Sequence, residues 1–352
     1  MKKKSLNVKK IIHKKLLRHL LDPKIKKIYK VFEKSLIIDR YKDNKFIVAL
    51  SGGADSLALS YLVKCYCIRS KSKVAFIHVD HRLRDSSTKE AHELQYQLKK
   101  FDIKCKILSW KGKKPKSNIQ SISRKNRYNL ITKYAQKNNF KNILIAHHLD
   151  DLYENFFIRL TRGSGLKGLV SFNRKIINYN NKIFIMRPLI GQKKSDLTFL
   201  SKKVFKNFFK DPSNKNTTFT RVRIRNLLRG LKKEGFDEKK LNQTIKNLSD
   251  ADSSFNYYEN QNIKLNSNYL KNKSAYILSG NFFKQPHEIV FRSFSSLLKK
   301  VGGKYYASRG KSINQILSQI DSKKFKKVTL SGCIIEKINN SVFIYKENLG
   351  KK

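Results

Sequence analysis

Residues 46–56 read FIVALSGGADS, and no other stretch constrains the fold of this chain as strongly. Residues 46–50 form an apolar run of strand length, followed abruptly by Ser51-Gly52-Gly53-Ala54-Asp55-Ser56 and then by an apolar, helix-like segment over 57–63. A glycine-rich turn between a strand and a helix N-terminus seats a phosphate. Glycine lets the backbone approach closely, and the unpaired N–H groups and the helix dipole favour an anion. The loop is not a Walker A loop, because no Gly-Lys-Ser/Thr follows and the spacing differs.

Strand and helix signals alternate after this point. Residues 74–79, 105–108 and 143–146 are short β-branched-rich runs, and 55–69, 87–100 and 119–137 read as helices. Such alternation predicts an α/β fold, a parallel sheet with helices on both faces. Ligands on such sheets sit beyond the carboxyl ends of the strands. The glycine-rich loop, His78-Val79-Asp80-His81 and Ala146-His147-His148-Leu149-Asp150-Asp151 fall at three of those ends, which argues for one active site. A hairpin is expected from 176–177 and 183–186, and helices over 193–208, 217–231, 288–299 and 312–317. Residues 249–273, polar and Asn-rich, read as a linker; 328–335 and 342–345 read as strands. The expected organisation is a basic helical lead-in (1–45), a nucleotide-binding catalytic domain (46–215), a helical middle region and linker (216–275) and a small α+β C-terminal domain (276–352).

A length of 352 residues allows two or three domains. No apolar run is long enough to span a membrane. The basic N-terminus lacks the continuous apolar core of a secretory signal. Cys65, Cys67, Cys105 and Cys333 form no CxxC pair and read as reduced thiols of a cytoplasmic protein. Lys+Arg 78 against Asp+Glu 25 gives a net charge of +53. About half of that excess is assigned to lysine-rich compositional drift; the rest points to a polyanionic partner, nucleic acid ahead of a membrane surface.

His147-His148-Leu149-Asp150-Asp151 with Glu154 is the richest cluster. On a helix beginning near Asp150, Asp151 and Glu154 are i and i+3 and share a face. They can hold Mg²⁺ on a nucleotide or a cationic substrate group, or simply cap the helix and complement its dipole. Adjacent histidines cannot share one face, which argues against a His-ligated metal. Residues 159–168 (RLTRGSGLKG) add a basic glycine-rich loop, with Arg162 in it, suited to phosphate contact. Gln120, Arg124 and Arg127 fall on one helical face, as a solvated surface or as cations for developing phosphate charge. Arg221, Arg223 and Arg225 alternate with apolar residues, as a solvated basic face or as a track for nucleic-acid phosphates.

The loop SGGADS after a buried strand resembles the signature of the PP-loop ATP pyrophosphatases. SGGADS, HVDH, the stretch 118–128, HHLDD with Glu154, RGSG, Arg187-Pro188-Leu189 and Asp211-Pro212-Ser213-Asn214 occur in this order. Together they resemble the tRNA(Ile)-lysidine synthase family over about residues 45–230. A weaker similarity at Gly302-Gly303 and Leu330-Ser331-Gly332-Cys333 extends to that family's C-terminal domain. Leu152, Asn155, Ser123 and Val222 depart from the family pattern.

The resemblance implies ATP-dependent ligation of free L-lysine to C2 of the wobble cytidine in the CAU anticodon of tRNA(Ile). ATP and Mg²⁺ are implied as cofactors. Ser51, Gly52, Gly53, Ala54, Asp55 and Ser56 would hold the phosphates, with Asp55 also positioning Mg²⁺. Asp151 and Glu154 would orient lysine or deprotonate its amine, and Arg127 would stabilise the activated intermediate. Arg162, Arg221 and Arg225 would contact tRNA. A homodimer is allowed for, and no membrane partner is expected. Three other readings are weighed: a PP-loop tRNA cytidine thiolase, which needs reactive cysteines; a small-molecule PP-loop ligase, which needs no such basicity; and a non-catalytic RNA-binding protein, which would not need Asp55, Asp151 and Glu154 together.

Overall fold

In a computed structural model the described residues are 2–38, 45–112, 119–172, 176–179, 183–209, 216–304, 308–320, 322 and 325–347. The chain divides into two compact units, Met1–Lys239 and Lys240–Lys352.

The first unit opens with helices α1 (Lys2–Arg18) and α2 (Pro23–Ile38). It continues through β1 (Lys45–Leu50), α3 (Ala54–Ser70), β2 (Lys73–Asp80), α4 (Ser87–Lys99), β3 (Cys105–Ser109), α5 (Ile119–Lys137) and β4 (Asn142–Leu144). Then come α6 (Leu149–Leu160), α7 (Leu166–Val170), β5 (Ile176–Tyr179), β6 (Ile183–Met186), α8 (Lys194–Phe205) and α9 (Thr220–Lys233). The sheet order is β3-β2-β1-β4-β6-β5. All neighbours are parallel except β5, which runs antiparallel to β6 at the edge. The expected hairpin is therefore present, its turn lying outside the described residues.

The apolar run of β1 follows from its central place. Successive side chains alternate between the two faces of a strand, and both faces here are covered. Phe46, Val48 and Leu50 join α1, α2, α3 and α8 in one core. Ile47 joins β2, β4, β6 and α5 in another. The lead-in belongs to the first of these cores, through Leu16, Ile25, Ile28 and Phe32. From β1 the chain winds outward through β2 to β3, then crosses back to β4 on β1's other side. The carboxyl ends of β1 and β4 thus flank the topological switch point, where an open α/β sheet leaves a crevice.

The second unit holds α10 (Glu238–Asn266), β7 (Ser267–Leu270), β8 (Ala275–Leu278), α11 (Gly280–Phe283), α12 (His287–Val301), α13 (Gly310–Gln319), β9 (Lys327–Leu330), β10 (Cys333–Ile338) and β11 (Ser341–Lys346). Its antiparallel sheet has the order β7-β8-β11-β10-β9. Two expectations fail here. Most of the segment read as a linker, 249–273, is helix α10, which buries Asp252, Glu259 and Asn262. The single strand expected over 328–335 is a hairpin: β9 pairs with β10 across Ser331-Gly332. Their φ values of 57° and 75° match the two left-handed positions of a type I′ turn. Gly302 lies against that turn, since a Cβ there would come within 2.2 Å of the Ser331 carbonyl oxygen. The Gly302-Gly303 and Leu330–Cys333 similarities are thus one packed feature. Asp211-Pro212-Ser213-Asn214 and Asn118 lie outside the described residues.

Candidate active site

The loop 51–56 joins β1 to α3 at the switch point. Gly52 takes φ +83°, and a Cβ there would stand 3.0 Å from the Phe209 ring; both the backbone region and the space demand glycine. The loop is braced internally. The Ser51 N–H donates to Ser56 Oγ at 3.2 Å, and Ser56 Oγ donates to the Gly53 carbonyl at 2.9 Å. Phe209 N–H donates to the Gly52 carbonyl at 3.1 Å, and the buried Ser201 hydroxyl donates to that of Ala54. These bonds fix the loop carbonyls and leave the N-terminus of the 17-residue helix α3 as an anion seat.

Asp55, in the first turn of α3, and Asp151, in the first turn of α6, come from opposite sides of the crevice and meet at one histidine. His148 Nε2 lies 3.5 Å from Asp55 Oδ2 and 3.4 Å from Asp151 Oδ2. The ring is buried. Burial pushes its pKa down, but the Asp55 bond and the charges of Asp151, Asp55 and Asp150 outweigh burial and raise it above the ordinary value. The imidazole, set between the two carboxylates, ties the two loops together. Asp151 also accepts from the His148 backbone N–H at 3.2 Å, the helix-capping role expected as one alternative. Asp55 Oδ1 is buried with no protein partner.

Glu154 lies one turn further along α6, only 2 % exposed. Its two oxygens accept from Arg225 at 2.7 and 3.2 Å, and Arg221 Nε stands 3.3 Å away. Both guanidiniums come from α9, which packs on α6. Glu154 was expected at the lysine amine and Arg221 and Arg225 at tRNA phosphates; in the folded chain the three meet one another. The Arg225 pair is doubly hydrogen-bonded and charge-assisted, and such bonds are about twice as strong as neutral ones.

The remaining expected residues scatter around the crevice. Arg127 on α5 is exposed; its charge, after burial, helps depress the pKa values of His78 and His81. Arg124, one turn earlier, acts on His147 and Arg187. Arg162 lies beyond the far end of α6, roughly 12 Å from Glu154 by helical rise, and the structure does not bring it to the carboxylates. Arg223 donates to the Thr217 and Thr218 carbonyls.

Four residues stand at the site that were not among the expected site residues. His148 was visible within HHLDD, but no sequence signal gave it the bridging role. Arg187 is buried, donating to His147 Nδ1 at 3.1 Å and to the Phe172 carbonyl at 2.9 Å. Burial and the neighbouring cations hold His147 well below its ordinary pKa, hence neutral. Phe209, the wall against Gly52, had no sequence signal at all. His81 has both ring nitrogens buried without a hydrogen-bond partner; burial, then the Arg127 charge, brings its pKa to about 4. Asp80 proves structural, accepting from Arg82 N–H at 2.9 Å and from the Thr88 hydroxyl at 2.8 Å.

A braced glycine-rich anion seat at the switch point, with two carboxylates beside it, defines a PP-loop nucleotide-binding protein, and the PP-loop domain family profile matches residues 20–231. The likeness extends past that domain. The tRNA(Ile)-lysidine synthase of Rickettsia felis is 32% identical over 330 residues, 92% of this chain and 75% of its own length. That of Orientia tsutsugamushi is 31% identical over 315 residues, 86% and 70%. The chain belongs to the tRNA(Ile)-lysidine synthase family and is an enzyme of that family. Among solved structures, a U34-tRNA thiolase from Methanococcus maripaludis with its 4Fe-4S cluster is similar in fold. Its TM-score is 0.54 at 20% identity, over 65% of this chain and 78% of that one.

Proposed function

We propose that this chain attaches free lysine to C2 of the wobble cytidine in tRNA(Ile) with a CAU anticodon. The observation that carries the reading is the meeting of Asp55 and Asp151 across His148 beside the phosphate loop, in a chain similar to lysidine synthases over most of its length. The cytidine O2 is a poor leaving group. It attacks the α-phosphorus of ATP, pyrophosphate departs, and the adenylated O2 then leaves as AMP when the lysine ε-amine attacks C2. Ser51 to Ser56 hold the departing pyrophosphate through backbone N–H groups and the α3 dipole. His148 holds Asp55 and Asp151 at fixed separation, the preorganisation such a step needs.

The attacking amine must be neutral, whereas a free lysine ammonium titrates near about 10.4. We assign the amine to Asp151, which is partly open to solvent and can bind the ammonium and then accept its proton. Glu154 is occupied by Arg225 and Arg221, and we assign it to positioning α9 against α6. Arg127 is the exposed cation we assign to the adenylated intermediate. The residues fit a magnesium ion: Asp55 Oδ1 is buried and unpartnered, and Mg²⁺ is commonly held by one or two carboxylates plus substrate phosphates and water. Asp55, with Asp151 nearby, would hold it, and when bound it neutralises charge on the phosphates.

A thiolase reading gains nothing from the cysteines. All four are buried, and burial pushes Cys65, Cys67 and Cys105 to about 12. The deciding experiment is incorporation of labelled lysine into unmodified tRNA(Ile) bearing CAU, with and without ATP. ATP-dependent, tRNA-specific incorporation is expected. AMP release without lysine incorporation would overturn the assignment of the nucleophile.

A further inference from the structure

Helix α1 carries eight lysines and arginines in 17 residues and no acidic residue, about twice the chain's own density of 78 in 352. Compositional drift toward lysine would be spread over every surface and would not strip one helix of carboxylates. The helix also lies ahead of the matched PP-loop segment, which begins at residue 20.

The inner side of α1 is committed. Leu16 is in the core with Ile12 and Leu17 packed against it, and the Tyr61 hydroxyl donates to the Leu16 carbonyl at 3.1 Å. His13 meets Asp102 at 2.8 Å, where Lys64 also pairs at 2.8 Å. At about 3.6 residues per turn, fixing that side fixes the other. Lys10, Lys14 and Arg18, at i, i+4 and i+8, form a stripe with Lys15 beside it, all exposed. Among the described residues none of the four meets a carboxylate. An anchored row of cations one helical turn apart complements a polyanion with regularly repeating charge, which is the property of a nucleic-acid backbone. A bilayer surface fits less well. A basic helix binds lipid by inserting its apolar face, and here Ile12, Leu16 and Leu17 of that face are packed inside the protein; among the described residues of this helix, Val8 and Ile11, each 56% exposed, are the large apolar side chains turned outward.

We propose that the outer face of α1 is an RNA-binding surface that engages backbone phosphates of the tRNA being modified. The choice of RNA rests on the tRNA-modifying function proposed above. The test uses the full chain with Lys10→Gln, Lys14→Gln, Lys15→Gln and Arg18→Gln combined, beside a charge-preserving Lys10→Arg, Lys14→Arg, Lys15→Arg chain. Binding of a fluorescent tRNA(Ile) transcript is followed from about 50 to about 200 mM salt, a range in which phosphate contacts dominate the salt response. The Gln chain is expected to lose about 3 from the slope of log affinity against log salt, about one per phosphate contact. It should also bind at least about tenfold more weakly at low salt, with ATP binding retained and the Arg chain unchanged. Should the combined variant lose ATP binding, single Lys10→Gln and Lys14→Gln chains are each expected to lower the slope by about 1. An unmoved slope in a chain that still binds ATP overturns the proposal. So does loss of binding to phosphatidylglycerol vesicles with the tRNA curve unmoved, which would give this face to a membrane. A wild type that binds tRNA but transfers no lysine defeats the ligase reading and leaves α1's role standing. Lysine transfer with an unmoved slope defeats only the role of α1.

Discussion

Substituting Glu154 by glutamine separates a positioning carboxylate from a lysine-binding one. The side chain is 2 % exposed, so any donor left opposite a non-acceptor stays out of water. Glutamine retains one carbonyl oxygen, which can keep the 2.7 Å contact with Arg225 Nε. Its NH₂ then faces Arg225 Nη2 and Arg221 Nε, which now stand 3.2 and 3.3 Å from Oε2. A hydrogen bond to a charged group contributes about 1.5–3 kcal/mol. Two such contacts become donor against donor, but Arg221 has a 39% exposed side chain and can turn to solvent, which discounts its share. The expected destabilisation is about 2–3 kcal/mol, and for a unit of this size each kcal/mol lowers the melting temperature by about 2–4 °C. Scanning calorimetry should therefore show the unit Met1–Lys239 melting about 5–10 °C lower. A double-mutant cycle with Arg225→Gln should return a coupling of about 1–2 kcal/mol. A melting shift under about 1 °C, with the KM for lysine raised and the cycle additive, would refute this reasoning and return Glu154 to the amine.

Three further outcomes follow from the site. Gly52→Ala places a Cβ at φ +83°, 3.0 Å from Phe209. The left-handed backbone alone costs about 1–2 kcal/mol, so titration calorimetry should find ATP bound about tenfold more weakly; unchanged affinity would mean the loop relaxes freely. His81 titrates at about 4 when folded against 6.5 ordinarily. The unfolded chain therefore takes up the proton first, and stability present above pH 6.5 is lost as pH falls toward 4. His81→Asn should flatten that part of the urea-unfolding pH profile, and an unaltered profile would show the ring free to protonate when folded. The cysteine thiols, held near 12 at Cys65, Cys67 and Cys105 and near 11 at Cys333, should react with a disulfide reagent at pH 8 at least about a hundredfold more slowly in the native than in the unfolded chain, since only the thiolate reacts.

The sequence alone determined the phosphate loop, the α/β order around it and the family likeness, because each is written in neighbouring residues. An apolar run, a glycine pair and a helix start act within a few positions, and β1 and its loop carry all three. The same local logic failed where partners are distant. Polar α10 reads as a linker until Arg292 reaches Asp252 from 40 residues away and Ser293 and Ser296 meet Glu259; those bonds satisfy the buried polar face of the helix. The β9–β10 hairpin carries a local turn signal, the Ser331-Gly332 dipeptide, but the apolar residues on both sides read as one strand until the pairing of β9 with β10 divides them. At the site, only tertiary structure decided what the carboxylates meet. Arg225 lies 71 residues from Glu154, and no spacing rule joins them. Asp55 and Asp151 become one site through the winding of β1 and β4 about the switch point, which brings two helix N-termini to a single buried histidine.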